Sequence, residues 1–134
     1  MEPMTEQEAL VGVALCAAYA DGSMGAEEND RLSDALDSCR ALEGCDETTL
    51  RRAMQKADRL MSDEGEKGLL ARAAAALRPE MRATAFCLGA DIVLADEEVA
   101  REEEGFVERL RRAMGVEPAL ARRIVDVLLI RHKA

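Results

Sequence analysis

The chain has 134 residues, about the commonest size of a single domain, and 49% of them are hydrophobic, drawn mainly from Ala, Leu, Val and Met with two Phe, one Tyr and no Trp. That supply suits helix packing and is poor in the β-branched and aromatic residues that strands favour. The net charge of −9 argues against nucleic acid or an anionic membrane as the main partner, since both reward a basic face.

The acidity is uneven. Residues 1–67 hold 7 Lys/Arg against 16 Asp/Glu, whereas residues 68–134 are balanced. No apolar run is long enough to span a bilayer, and the first residues, Met-Glu-Pro-Met-Thr-Glu-Gln-Glu, are acidic where a signal peptide would be basic. A cytoplasmic address and no membrane insertion are expected. Cys16, Cys39, Cys45 and Cys87 show no Cys-x-x-Cys spacing, so reduced, non-catalytic thiols are expected, with Cys16 and Cys87 in the core.

Thr5-Glu-Gln-Glu8 predicts a capping box for a first helix, which runs almost wholly apolar to Ala20 before Asp21-Gly22 stops it. A helix that is apolar on most sides belongs at the centre of a bundle. A second helix is expected over about Ala26 to Cys39, with Leu32, Ala35, Leu36 and Cys39 on one face. Asp46 caps a third, whose Leu50, Ala53, Met54, Ala57, Leu60 and Met61 keep helical spacing. The polar stretch Asp63 to Glu66 reads as a connection to a short fourth helix, about Lys67 to Leu77. Pro79 suits the first turn of a fifth, again apolar, running to Leu94. A charged sixth runs from about Val99 to Met114 and is closed by Gly115. Pro118 opens a seventh, with Leu120, Ile124, Val127 and Leu128 on one face. The expected fold is therefore an all-α bundle of about seven helices forming one domain over residues 1–134.

Two halves of this chain, roughly residues 5–63 and 79–134, lie over one another. Val13-Ala-Leu-Cys-Ala-Ala-Tyr-Ala-Asp21 followed by Glu27-Glu28 matches Leu88-Gly-Ala-Asp-Ile-Val-Leu-Ala-Asp96 followed by Glu102-Glu103, at a constant offset of 75 residues. Each copy reads as an apolar helix, Ala-Asp, a short loop, Glu-Glu, a charged helix and an amphipathic helix, so a pseudo-two-fold internal repeat is expected.

The pattern Ala-x-Ala-Asp-Gly-x-Met-x-x-Glu, repeated in degenerate form, resembles the TerB-like tellurite-resistance family and, more distantly, the N-terminal domain of DjlA-type co-chaperones. The resemblance covers most of the chain. It implies a compact helical bundle with pseudo-two-fold symmetry, a role in stress response, and acidic motif residues that act as cation ligands. Carried over by position, those are Asp21 and Glu27 in the first copy and Asp96 and Glu102 in the second. The second copy departs from the pattern at Glu97, which stands where the family has Gly. A non-Gly residue in a left-handed conformation costs roughly 1 to 2 kcal/mol, so the second half-site is the weaker expectation.

The chemistry of these acids is consistent with such a role. An Asp at one helix's end and a Glu in the next helix's first turn can face each other across a short loop, and duplication brings two pairs together. Carboxylates held close repel unless a cation neutralises them. An oxygen-only donor set suits Ca²⁺ or Mg²⁺ rather than Zn²⁺. The plainer reading is that first-turn Glu residues favour the helix dipole and Asp21 turns a loop. An EF-hand is excluded by the short Asp-to-Glu spacing. The acid run Glu97-Glu98 and Glu102 to Glu104 reads as a solvated face, and the pair Glu108 and Arg112 as surface ion pairing.

No catalytic residue and no organic cofactor is assigned. The one histidine, His132, reads as a solvated cation at a helix end, and no phosphate loop, di-iron pattern or nucleophile elbow is present. A non-enzymatic protein with a protein partner is expected. The alternative is a metal-free helical adaptor, co-chaperone-like, that docks such a partner through its acidic half.

Overall fold

The capping box at Thr5 is formed: the Glu8 N–H donates to Thr5 Oγ1 at 3.1 Å, and the Thr5 N–H donates to Glu8 Oε1 at 2.8 Å. It opens α1, Glu6–Ala18, in a computed structural model that describes residues 3–20, 26–95 and 101–133, without the side chains of 26–31 and 101–104. The other helices are α2 (Ala26–Ser38), α3 (Glu47–Ala76), α4 (Pro79–Leu94), α5 (Arg101–Met114) and α6 (Pro118–Arg131), with a 3₁₀ turn at Arg40–Leu42. No strand occurs among the described residues. The chain is all-helical, and the described part has six α-helices rather than about seven.

The difference lies at Gly65. The expected third and fourth helices follow one another without a loop: the polar connection shrinks to a single non-helical residue at φ 74°, ψ −178°, a kink across which α3 is counted as one element. Only glycine takes that conformation without a Cβ clash, so α3 bends there and continues. The other local signals act as the sequence implied. Asp46 Oδ1 accepts from the Thr49 N–H at 2.7 Å, Pro79 and Pro118 sit in first turns, and Gly115 ends α5 with φ 68°. The Val116 N–H then reaches back to the Arg111 carbonyl at 3.1 Å, which satisfies a carbonyl the helix end leaves open.

α1 is buried on every side from Ala9 to Ala18. It packs on α2, α3 and α4, while α4 in turn packs on α5 and α6. The core closes around Phe86 of α4 and Phe106 and Leu110 of α5, all fully buried. Gly89 permits this. A Cβ there would stand 2.5 Å from Leu110 Cδ2 and 3.2 Å from Val13 Cγ1, so the missing side chain is what lets α1, α4 and α5 meet.

α6 departs from expectation. Of the four residues read as one apolar face, only Leu128 is buried and Ile124 is half-buried, whereas Leu120 and Val127 are exposed. The buried line runs instead through Ala121 and Leu128, because α6 rests chiefly on one neighbour, α4, and a helix apolar on two sides can bury only one of them there.

Candidate functional site

The two central helices run in the same sense. At their starts, the Arg78 N–H donates to Glu6 Oε2 at 2.9 Å and Arg78 Nε to Glu6 Oε1 at 3.1 Å. Farther along both, Val13 of α1 lies against Gly89 of α4. Their C-terminal ends, Ala18 and Leu94, therefore point to the same end of the bundle. From that end the chain reaches α2 at Ala26 and α5 at Arg101, in each case six residues after the last described residue, Ala20 or Ala95.

The acidic candidates belong to these connections. Asp21 and Asp96 lie outside the described residues, as do the side chains of Glu27 and Glu102, and so does Glu97. By backbone position, Glu27 is the second residue of α2 and Glu102 the second of α5. Among the described residues, no group of three or more His, Cys, Asp or Glu is arranged to hold a metal ion.

At the opposite end, carboxylates hold the bundle together rather than gathering. The Glu6 carboxyl is held below its ordinary value by its hydrogen bonds with Arg78. Burial pushes the Glu8 carboxyl up, but the Thr5 N–H and Lys56, whose Nζ lies 3.2 Å from Glu8 Oε1, outweigh it and leave it lowered. An open cavity of about 720 Å³ lies here, lined in part by Glu6, Leu10, Arg40, Arg78 and Met81. Elsewhere Arg109 grips Glu66 with two bonds of 2.6 and 3.0 Å. Glu108 meets both Arg111 and Arg112, at 2.7 and 3.1 Å, and the hydrogen bond from Arg111 leads in holding its carboxyl down at about 2.

His132 is not solvated as its place at a helix end suggested. It is half-buried, with Nε2 2.5 Å from Asp91 Oδ1, and Arg131 Nε lies 3.8 Å from the same oxygen. The available signal was Asp91 itself, the one charged residue between Thr84 and Leu94, since a carboxylate on an apolar helix calls for a partner.

The four cysteines form no disulfide. Cys16 is buried, and burial first, then the charge of Glu66, pushes its thiol up to about 12. Cys87 is only half-buried, which corrects its expected place in the core: the outer side of α4 carries Asp91 beside it. Its thiol is raised by burial and by Asp91.

The family model of tellurite resistance protein TerB matches residues 7–126, which is most of the chain. No curated protein and no solved structure was found to match it. The chain belongs to the TerB family.

Proposed function

We propose that this TerB-family chain is a non-enzymatic, cytoplasmic stress-response protein that binds a hard divalent cation, Ca²⁺ or Mg²⁺, through Asp21, Glu27, Asp96 and Glu102. The observation that carries the reading is the common sense of α1 and α4. Parallel central helices send both Asp-containing connections off one end of the bundle, and α2 and α5 start from them at the 75-residue offset of the repeat. The pairing of α1 with α2 and α3, and of α4 with α5 and α6, supports a pseudo-two-fold arrangement of the halves.

Four carboxylates brought together on a chain of charge −9 would repel, and a bound dication would relieve that repulsion while helix N-termini favour acids beside them. All donors are oxygens, which fits a hard cation. No helix of the described residues is long and apolar enough to cross a membrane.

The test is thermal melting during Ca²⁺ and Mg²⁺ titration of the wild type and of the double variant Asp21→Asn, Glu27→Gln. A cation that binds only the folded state adds about 2.7 kcal/mol at a hundredfold excess over its Kd, so the wild-type Tm rises and the variant's does not. Equal responses would leave the acids as helix caps and favour the metal-free adaptor. A response that survives neutralising Asp96 and Glu102 would place the site in the first half alone.

A further inference from the structure

All the exposed large hydrophobic residues found among the described residues lie on α6: Leu120 at 39% exposure, Val127 at 63%, Leu129 at 51% and Ile130 at 73%. Three of them share one seam. Leu120, Arg123, Val127 and Ile130 follow one another at steps of three, four and three residues, the spacing by which one helix meets another along a shallow crossing. Leu129 falls on a different side of the helix. An apolar seam on an otherwise charged surface marks an interaction site.

The charges along the seam suit a second copy of the same helix. When two α6 helices are laid antiparallel about a two-fold axis, Leu120 meets the partner's Ile130 and Val127 meets the partner's Arg123, each contact occurring twice. On one flank Ile124 meets the partner's Ile124, and Glu117 faces the partner's Arg131. On the other flank the two Asp126 carboxylates approach, but each already holds its own Arg122 at 3.3 Å and comes within reach of the partner's Arg123. A parallel pairing would instead put Arg123 beside the partner's Arg123 within the seam itself, leaving two guanidinium groups facing each other among the apolar residues. Self-complementarity under a two-fold is what an isologous interface requires.

We propose that this face of α6 is the contact by which two copies of the chain associate, antiparallel, through the seam Leu120, Arg123, Val127 and Ile130. A helix of 14 residues is about 21 Å long. One such pair covers less than the roughly 1,200 Å² at which standard stable interfaces begin, so association is weak and appears as concentration rises.

Sedimentation velocity over a concentration series, taken up to about millimolar, tests this. The wild type shifts from monomer to dimer. Ile130→Glu puts a carboxylate against the partner's Leu120 and weakens association about tenfold or more, while its Tm in dilute solution stays that of the wild type because the side chain is mostly exposed. Leu129→Glu, equally polar but off the seam, keeps the dimer. Glu117→Arg and Arg131→Glu each weaken self-association, and mixing the two variants restores a dimer. A wild type that stays monomeric at the highest concentration overturns the proposal. So does an equal loss with Leu129→Glu, which would mean nonspecific hydrophobic association, or a mixture of the charge variants that does not pair.

Discussion

Asp91 and His132 are 41 residues apart in sequence and tie the last turn of α4 to the C-cap residue of α6, with Nε2 2.5 Å from Oδ1 and both side chains about three-quarters buried. α6 lies on the bundle mainly through α4, so this pair fastens the far end of the least embedded helix. Replacing His132 with Ala removes the bond and leaves a half-buried carboxylate facing only Arg131. The expected cost is about 1 to 2 kcal/mol, seen as a lower Tm and faster amide exchange confined to the last turn of α6. Asp91→Asn, which keeps a hydrogen-bonding oxygen, costs less.

Gly65 and Gly89 are irreplaceable for opposite reasons, and Ala at each separates them. At Gly65 the space is open, and the penalty is the backbone alone, since φ 74° with ψ −178° is a conformation essentially confined to glycine and costs other residues about 1 to 3 kcal/mol. At Gly89 the backbone is ordinary helix, but the new methyl meets Leu110, itself fully buried, and overpacking of this kind costs about 1 to 3 kcal/mol. Trimming Leu110 to Ala in the Gly89→Ala background relieves the clash, so that pair is non-additive. The same trim leaves the Gly65→Ala penalty unchanged. Melting of the two double variants checks this.

Acid weakens the fold. The carboxyls of Glu6, Asp46 and Glu108 are lowered by hydrogen bonds with Arg78, the Thr49 N–H and Arg111 respectively, and that of Glu8 is lowered despite its burial. A group lowered on folding contributes stability that is complete above its unfolded value, about 4, and is lost as the pH falls through its folded value. For Glu108 the loss runs down to about 2. Asp46 and Glu108 are exposed and Glu6 is half-buried beside exposed Arg78, so salt diminishes their contribution. From these carboxyls the Tm is expected to fall as the pH drops below about 5, less steeply in high salt. Asp46→Asn keeps the helix cap and flattens the decline.

Thiol labelling is expected to follow position rather than order in the chain. Cys16 is sealed inside α1 with its thiol raised to about 12, and Cys87 is raised by burial and Asp91. Cys45 stands half-buried in the break before α3. Cys39 is half-buried as well, so a stoichiometric thiol reagent at neutral pH modifies Cys45 and Cys39 before Cys87, and Cys16 only on unfolding, as peptide mapping would show.

What could be read from the sequence was local. Thr5 with Glu8, Asp46, Pro79 and Gly115 each satisfy backbone groups within a few residues of themselves, so their roles follow from the neighbouring letters. The centrality of α1 was equally legible, because a helix with no polar side has only one place to go; α4, almost as apolar, packs against α1 but keeps an outer side at Cys87 and Asp91. The orientation of α6 was not. Its Leu120, Ile124, Val127 and Leu128 keep a helical period, but the period is the same whichever apolar side turns inward, and only the neighbour decides. The partner of His132 lies in another helix, beyond the reach of any local rule. Of the four carboxylates singled out for cation binding, the backbone places Glu27 and Glu102 at helix starts, and the rest lies outside the described residues.

The burial of α1 on all sides also bears on how the chain leaves the ribosome. Its thirteen residues, Glu6–Ala18, are made before any of the helices that cover them, and Val13 waits for Gly89, seventy-six positions later, to close its last side. Until α4 is synthesised, the nascent chain carries an apolar rod that no partial structure can fully sheathe, and such exposed surface is what promotes premature aggregation. Slower synthesis, or the loss of a factor that shields the emerging helix, is therefore expected to lower yield without any change in the finished bundle.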